Sequence, residues 1–208
     1  MQTKGVLVVV SGFSGAGKGT VMKALLEKYD NYALSVSATT RSPRPGEENG
    51  REYFFLTESQ FEDMIRNDEL IEHARYVDHY YGTPRKYVED KMVAGKDVIL
   101  EIEIQGALNI KKKFPDALLV FIVPPTAKDL KKRLIGRGTE SAEVIEKRLR
   151  RAAEESDGMD SYDYIVVNDD IDTCVEDLHS LIRSSHFKES ANTDLVARMK
   201  QELHDMTK

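Results

Sequence analysis

The sequence contains one cysteine and no tryptophan in 208 residues, and only six prolines. A lone Cys174 excludes an internal disulfide, and no Cys/His spacing suggests a zinc site. Cys174 lies at helical spacing from Ile171, Val175 and Leu178, which reads as a core position rather than a reactive thiol. No apolar run approaches the length of a membrane span. No leader is expected, because Met1-Gln2-Thr3-Lys4-Gly5 passes straight into Val6–Val10 with no h-region or small-residue cleavage site. These absences predict a cytoplasmic chain with no membrane partner. Basic charge is not in excess either. The formal net charge of −6 argues against nucleic acid as a partner.

The patterning that is present alternates short apolar runs with segments of 3.6-residue period, as in a parallel sheet covered by helices. Core strands are expected at Val6–Val10, Leu34–Ser37, Val98–Glu103, Leu118–Val123 and Tyr164–Val167. Helices are expected from Gly17 to Tyr29, Pro84 to Ala94, Ala107 to Lys113, Ala127 to Ile135, Ser141 to Glu155 and Ile171 to Phe187. Thr57-x-x-Gln60 has the form of a capping box. Thr83-Pro84 reads as an N-cap followed by a proline at the first helical position, and Gly95 as the stop. An insert at about 37–81 interrupts the core, with strands at Tyr53–Leu56 and Leu70–Val77 that are too few to fold alone. The main domain is read as 1–188. A tail, 189–208, carries Leu195, Met199, Leu203 and Met206 as an amphipathic helix.

Gly12-Phe13-Ser14-Gly15-Ala16-Gly17-Lys18-Gly19-Thr20 follows an apolar strand and opens a helix. Successive backbone N–H groups there can wrap a polyphosphate, with Lys18 neutralising its terminal oxygens. The residue after Lys18 is Gly19, so a hydroxyl for Mg²⁺ has to come from Thr20 or be replaced by water. In the insert, Arg41 and Arg44 stand three apart, each close to a proline, as a fork for a phosphate dianion. Tyr53 adds a phenolic donor. Glu72 is the candidate carboxylate for the paired N1–H and N2–H₂ donors of guanine, with the Ser37 and Thr83 hydroxyls at the base edge. Adenine would leave Glu72 facing an acceptor, a mismatch able to discriminate by roughly 10⁴–10⁵.

The strings Ser37-x-x-Thr40-Arg41-x-x-Arg44-x-Gly46-Glu47, then Tyr53, Glu72 and Tyr80-Tyr81-Gly82-Thr83, resemble the GMP-binding region of guanylate kinases. The resemblance continues through Leu100–Gly106, Lys132-Arg133-Leu134, Arg137-Gly138-Thr139, Lys147-Arg148-Leu149 and Val167-Asn168-Asp169. It spans Gly5 to about Phe187. It implies a P-loop kinase that moves the γ-phosphate of ATP, with Mg²⁺, onto GMP, as a monomer or homodimer. Lys18, Arg41, Arg133, Arg137 and Arg148 would be the catalytic cations. Arg133 and Arg137 would belong to a mobile lid at about 126–150, and Arg148 would bridge the two phosphates. Asn168 would lie on the adenine side, and Tyr81 on the GMP side. Glu101 and Glu103, at the end of a core strand, divide metal and nucleoside contacts in an order the residues leave open. Phe13 stands where proline is frequent in the family. Arg150 and Arg151 read as a solvated helix face, and the five histidines as structural or solvated. Two alternatives are a kinase for another phosphorylated ribose, which needs no base clamp, and a non-catalytic guanylate-kinase-like binding module, a class that tends to lose the loop lysine.

Overall fold

The computed structural model describes residues 4–76, 78–136 and 141–207. The first half of the chain runs β1 (Leu7–Gly12), α1 (Lys18–Lys28), β2 (Tyr32–Leu34), β3 (Ser37–Thr39), β4 (Tyr53–Phe55), α2 (Glu58–Arg66), β5 (Leu70–Tyr76) and β6 (His79–Pro84). It continues with α3 (Arg85–Val93), β7 (Asp97–Glu101), α4 (Ile104–Lys113), β8 (Leu118–Val123) and α5 (Ala127–Gly136). The C-terminal part holds α6 (Ala142–Ser156), β9 (Tyr164–Val167), α7 (Ile171–Ser185) and α8 (Thr193–Met206). Among the described residues no helix is long and apolar enough to cross a membrane.

Strand β1 is the spine. Val8, Val9 and Val10 are wholly buried, as an unbroken apolar run must be when helices cover both faces of a sheet. The core sheet is parallel, ordered β2-β7-β1-β8-β9. The two-residue period divides its side chains. Val8, Val10, Ile99, Val120 and Ile122 pack with Val21, Leu25, Cys174 and Leu178 of α1 and α7. Leu7, Val9, Val98, Leu100 and Leu119 pack on the other face with Val88 of α3 and Ala107 and Ile110 of α4. Cys174 is therefore core, and burial pushes its thiol up to about 11.

A second sheet, ordered β4-β3-β6-β5, forms the insert. Here the structure corrects several expectations. Leu34–Ser37 is not one strand. Leu34 ends β2, the Ser35 N–H donates to the Ile99 carbonyl, and Ser37 begins β3 in the other sheet. The insert has four strands rather than two, because β3 and β6 are strands as well. The expected strand end at Val77 lies outside the described residues. The small sheet has its own apolar cluster, Ala38, Phe61 and Leu70, backed by Phe54, Leu56, Met64 and Tyr80. The capping box of α2 is present in both directions. Thr83 does not cap α3. Pro84 holds the N-cap position, and the Thr83 hydroxyl is turned inward. Gly95, at φ 80°, closes α3 as expected. Strand β7 stops at Glu101 instead of 103, and α4 starts at Ile104 instead of 107.

Phe61 is fully buried and stacks on Tyr80 at 5.2 Å between ring centroids. Phe61→Ala is expected to cost about 3–5 kcal/mol in unfolding free energy. Denaturant titration measures this, and a loss below about 1 kcal/mol would contradict a packed core beneath the small sheet.

Candidate active site

The open end of β1 delivers the chain to Gly12, at the carboxyl ends of the central parallel strands, where such sheets place their ligands. The loop that follows is held from three sides. The Asn168 side-chain amide, just past β9, donates to the Ala16 carbonyl at 2.8 Å. Arg133 of α5 donates to the same carbonyl at 3.1 Å and to the Asn168 carbonyl at 2.6 Å. Phe13 meets Phe121 edge-to-face at 5.1 Å, so a ring contact stiffens the position where the family often has proline. Gly15 and Gly17 adopt φ 96° and 93°, a region that glycine enters without a Cβ penalty. Lys18 folds back onto the loop, donating to the Gly12 carbonyl at 2.7 Å.

Two cavities meet at this end of the sheet. The loop-side cavity, about 350 Å³, is lined by Gly12, Ser14, Lys18 and Arg148. The insert-side cavity, about 320 Å³, is lined by Ser37, Tyr53, Glu72, Tyr81 and Gly106. Glu101, Ile102 and Glu103 line both and form their common wall. Glu72 is buried; Thr83 Oγ1 donates to its Oε1 at 2.8 Å, and its Oε2 faces Gly106, where a Cβ would sit 3.3 Å away. Burial raises the Glu72 carboxyl, with the Thr83 hydroxyl and the Lys113 ammonium opposing. Next to it His73 is exposed, as alternation requires. Glu101 is accessible at the rim but flanked by protein, and that desolvation raises its carboxyl against the pull of Lys18.

Most of the sequence-derived residues converge here, but not all in the same way. Arg41 lies beside the insert-side cavity, where Glu47 accepts from its Nη2 with both oxygens at 2.9 Å, and its guanidinium lies 5.3 Å from the Tyr53 ring centroid. The Arg44 N–H donates to the same carboxylate at 2.7 Å. These bonds hold the Glu47 carboxyl below its ordinary value, with the Arg44 N–H first and Arg41 next. Arg148 donates from Nε to Ser14 Oγ at 3.2 Å. Arg133 grips the loop from behind and does not line the cavity, and Asn168 is buried as a brace, its Oδ1 without a hydrogen-bond partner. Gly19 and Thr20 are exposed and off the cavity wall. Arg137 lies outside the described residues.

Sequence reasoning passed over three residues. Glu47 was read as part of a motif without a role. Lys113, on α4, donates to the Ile71 carbonyl at 3.1 Å and so ties the core to the strand carrying Glu72. Arg151 is exposed, as a solvated face requires, but it also reaches Glu103 and lines the loop-side cavity. Arg150 pairs with Glu146 on the exposed side, as expected.

The guanylate kinase family model matches residues 4–185. The chain belongs to the guanylate kinase family. It is 46% identical over 202 residues to a guanylate kinase of Caldanaerobacter subterraneus subsp. tengcongensis, covering 97% of this chain and 98% of the relative. It is 50% identical over 188 residues to a guanylate kinase of Lactococcus lactis subsp. lactis, covering 90% and 92%. The crystal structure of guanylate kinase from Anaplasma phagocytophilum superposes with a TM-score of 0.71 at 34% identity, covering 90% of this chain and 89% of that one.

A Cβ added at Gly17 would lie 2.5 Å from Asn168 Nδ2 in a backbone conformation that L residues rarely adopt. Gly17→Ala is therefore expected to weaken nucleoside triphosphate binding by at least about tenfold, with the far-ultraviolet circular dichroism unchanged. Calorimetric titration checks it. Parent-like affinity would show that the loop tolerates displacement of its brace.

Proposed function

We propose that this chain transfers the γ-phosphoryl group of ATP to GMP, with the loop-side cavity taking the donor and the insert-side cavity the acceptor. The observation that carries the reading is the shared wall, Glu101 to Glu103, between a lysine-bearing phosphate loop and a cavity with a buried carboxylate. Two bound nucleotides would meet across that wall, as in-line transfer requires.

The base is selected by Glu72. Held by Thr83 and walled by protein, the carboxylate accepts from guanine N1–H and N2–H₂, while Ser37 serves the base edge. Arg41 and Arg44, with the hydroxyls of Tyr53 and Tyr81, take the GMP phosphate. Glu47 keeps the Arg41 fork in register until that dianion arrives. No general base is needed, because the attacking phosphate oxygen is already anionic. On the donor side the loop N–H groups cradle ATP, and Lys18 leaves the Gly12 carbonyl for the β- and γ-oxygens. Arg148 faces the transferring group from α6; Arg133 would have to leave the Ala16 and Asn168 carbonyls to join Arg137 in a lid at about 126–150, and Asn168 would act on the adenine side by bracing the loop. Mg²⁺ bound with ATP supplies further neutralisation of phosphate charge. Glu101 and Glu103 are hard oxygen donors suited to hold it through water. Among the described residues no cluster of three or more His, Cys, Asp or Glu forms a site for it, so phosphate and water would complete its shell. The surroundings read as cytoplasmic, with the chain a monomer or homodimer.

A kinase for another phosphorylated ribose has no use for a buried Glu72–Thr83 pair, and a non-catalytic module has no use for an intact phosphate loop. A coupled assay with ATP against GMP, AMP, UMP and CMP tests the reading. GMP is expected to be preferred by orders of magnitude, and equal turnover of AMP would overturn it. Lys18→Ala is expected to lower turnover by at least about a hundredfold, since it removes charge from the transferring end. Near-parent turnover would remove Lys18 from the mechanism.

Glu72→Gln turns an NH₂ toward a guanine donor and forfeits a charge-assisted bond worth about 1.5–3 kcal/mol. KM for GMP is expected to rise by at least about tenfold, with KM for ATP nearly constant. Because burial raises the Glu72 carboxyl, the parent should lose GMP affinity on acidification before an ordinary glutamate protonates. The stability linkage has the opposite sign. The carboxyl binds its proton more tightly folded than unfolded, so its own contribution favours the folded state as pH falls. Isothermal titration with GMP between pH 7 and 5 measures the first effect. A pH-independent affinity in the parent would place the base clamp elsewhere.

A further inference from the structure

Arg148 and Arg151 are three residues apart on α6, on one face of the helix. Arg148 turns to Ser14 in the phosphate loop. Arg151 Nη2 donates to Glu103 Oε2 at 2.5 Å, while its Nε donates to Glu155 Oε1 at 2.9 Å, so one carboxylate orients the fork that holds the other. Glu103 occupies the N-cap position of α4, yet its side chain makes no capping bond; it faces α6 instead. Glu103 lines both cavities, whereas Arg151 lines the donor side. Glu101 and Glu155 line that side too, so the place where two phosphates must meet already carries three carboxylates. An uncompensated charge there opposes the arrival of both substrates.

We propose that Arg151 is a positioning residue for phosphoryl transfer. By neutralising and steering Glu103, it holds α6 across the junction and keeps the shared wall open to two anions. The inference rests on the ATP:GMP reading. The guanidinium does this through Glu103 rather than by touching the reacting atoms, so its effect disappears when Glu103 loses its charge.

Steady-state kinetics on Arg151→Met, Arg151→Lys, Glu103→Gln and the double variant Arg151→Met/Glu103→Gln test it. Methionine keeps much of the apolar stem and removes the charge. In Arg151→Met, kcat/KM for GMP is expected to fall about three- to tenfold, and Glu103→Gln added to it should recover activity toward the Glu103→Gln single variant. Arg151→Lys keeps the charge but loses the fork, so it should be less impaired than Arg151→Met. Simple multiplication of the two single defects in the double variant would overturn the proposal, as would Arg151→Lys being as impaired as Arg151→Met, which would indicate packing alone. Failure of the parent to phosphorylate GMP would strike the ATP:GMP reading itself, a result independent of any Arg151 variant.

Discussion

The controlling constraint is electrostatic: two polyanions must be brought together at the end of a sheet whose central strands are mostly apolar. Five cations around that end are engaged within the protein. Lys18 rests on the Gly12 carbonyl, Arg41 on Glu47, Arg133 on Ala16 and Asn168, Arg148 on Ser14 and Arg151 on Glu103. A long cationic side chain left to itself loses rotamer entropy when it is finally fixed. One already seated has lost much of it on folding, so a phosphate exchanges for an internal acceptor rather than ordering a free chain. On the donor side Lys18, Arg133 and Arg148 rest on weak acceptors, carbonyl and hydroxyl, and Arg151 on carboxylates; on the acceptor side Arg41 rests on both oxygens of Glu47.

That division follows from how each part is anchored. The donor loop is clamped by the core, with Ala16 held by residues from α5 and from the end of β9, and Phe13 packed on Phe121. A cradle of backbone N–H groups works only if those groups are fixed. The acceptor site is built on a second sheet with a small apolar cluster of its own, tied back by Lys113 to the Ile71 carbonyl. Its proposed phosphate-binding arginines, Arg41 and Arg44, stand on the loop between β3 and β4, where Glu47 accepts from both.

Much of this was legible in the sequence. The phosphate loop was read from its glycines and lysine, because φ near 95° and close approach leave glycine as the residue of choice there. The core strands were legible because burial on both faces forces unbroken apolar runs. The small sheet was harder. In β6, Tyr80 turns to Phe61 and Tyr81 toward Tyr53, a true two-residue alternation that looks like a recognition motif when both positions are tyrosine. The crossing from β2 to β3 carries no glycine or proline, so two strands read as one. The ion pair of Arg151 was not legible, because Arg151 is exposed on a polar helix and only the tertiary position of Glu103 supplies its partner.

Base and phosphate recognition use opposite environments for a physical reason. Guanine is distinguished from adenine by hydrogen-bond polarity, and a mismatch is costly only where water cannot repair it; the burial of Glu72, with Thr83 taking one oxygen, suits the proposed role. Burial raises the carboxyl, and Lys113, the same residue that ties the insert to α4, opposes that rise. The side chain that anchors the insert therefore also favours the charged form of its carboxylate, after the Thr83 hydroxyl. Phosphate needs no such enclosure, since a dianion is recognised by charge and fork geometry even where solvent reaches it. On the proposed reading, the buried carboxylate would set which nucleotide enters, and the arginines where its phosphate lies relative to the wall shared with the donor.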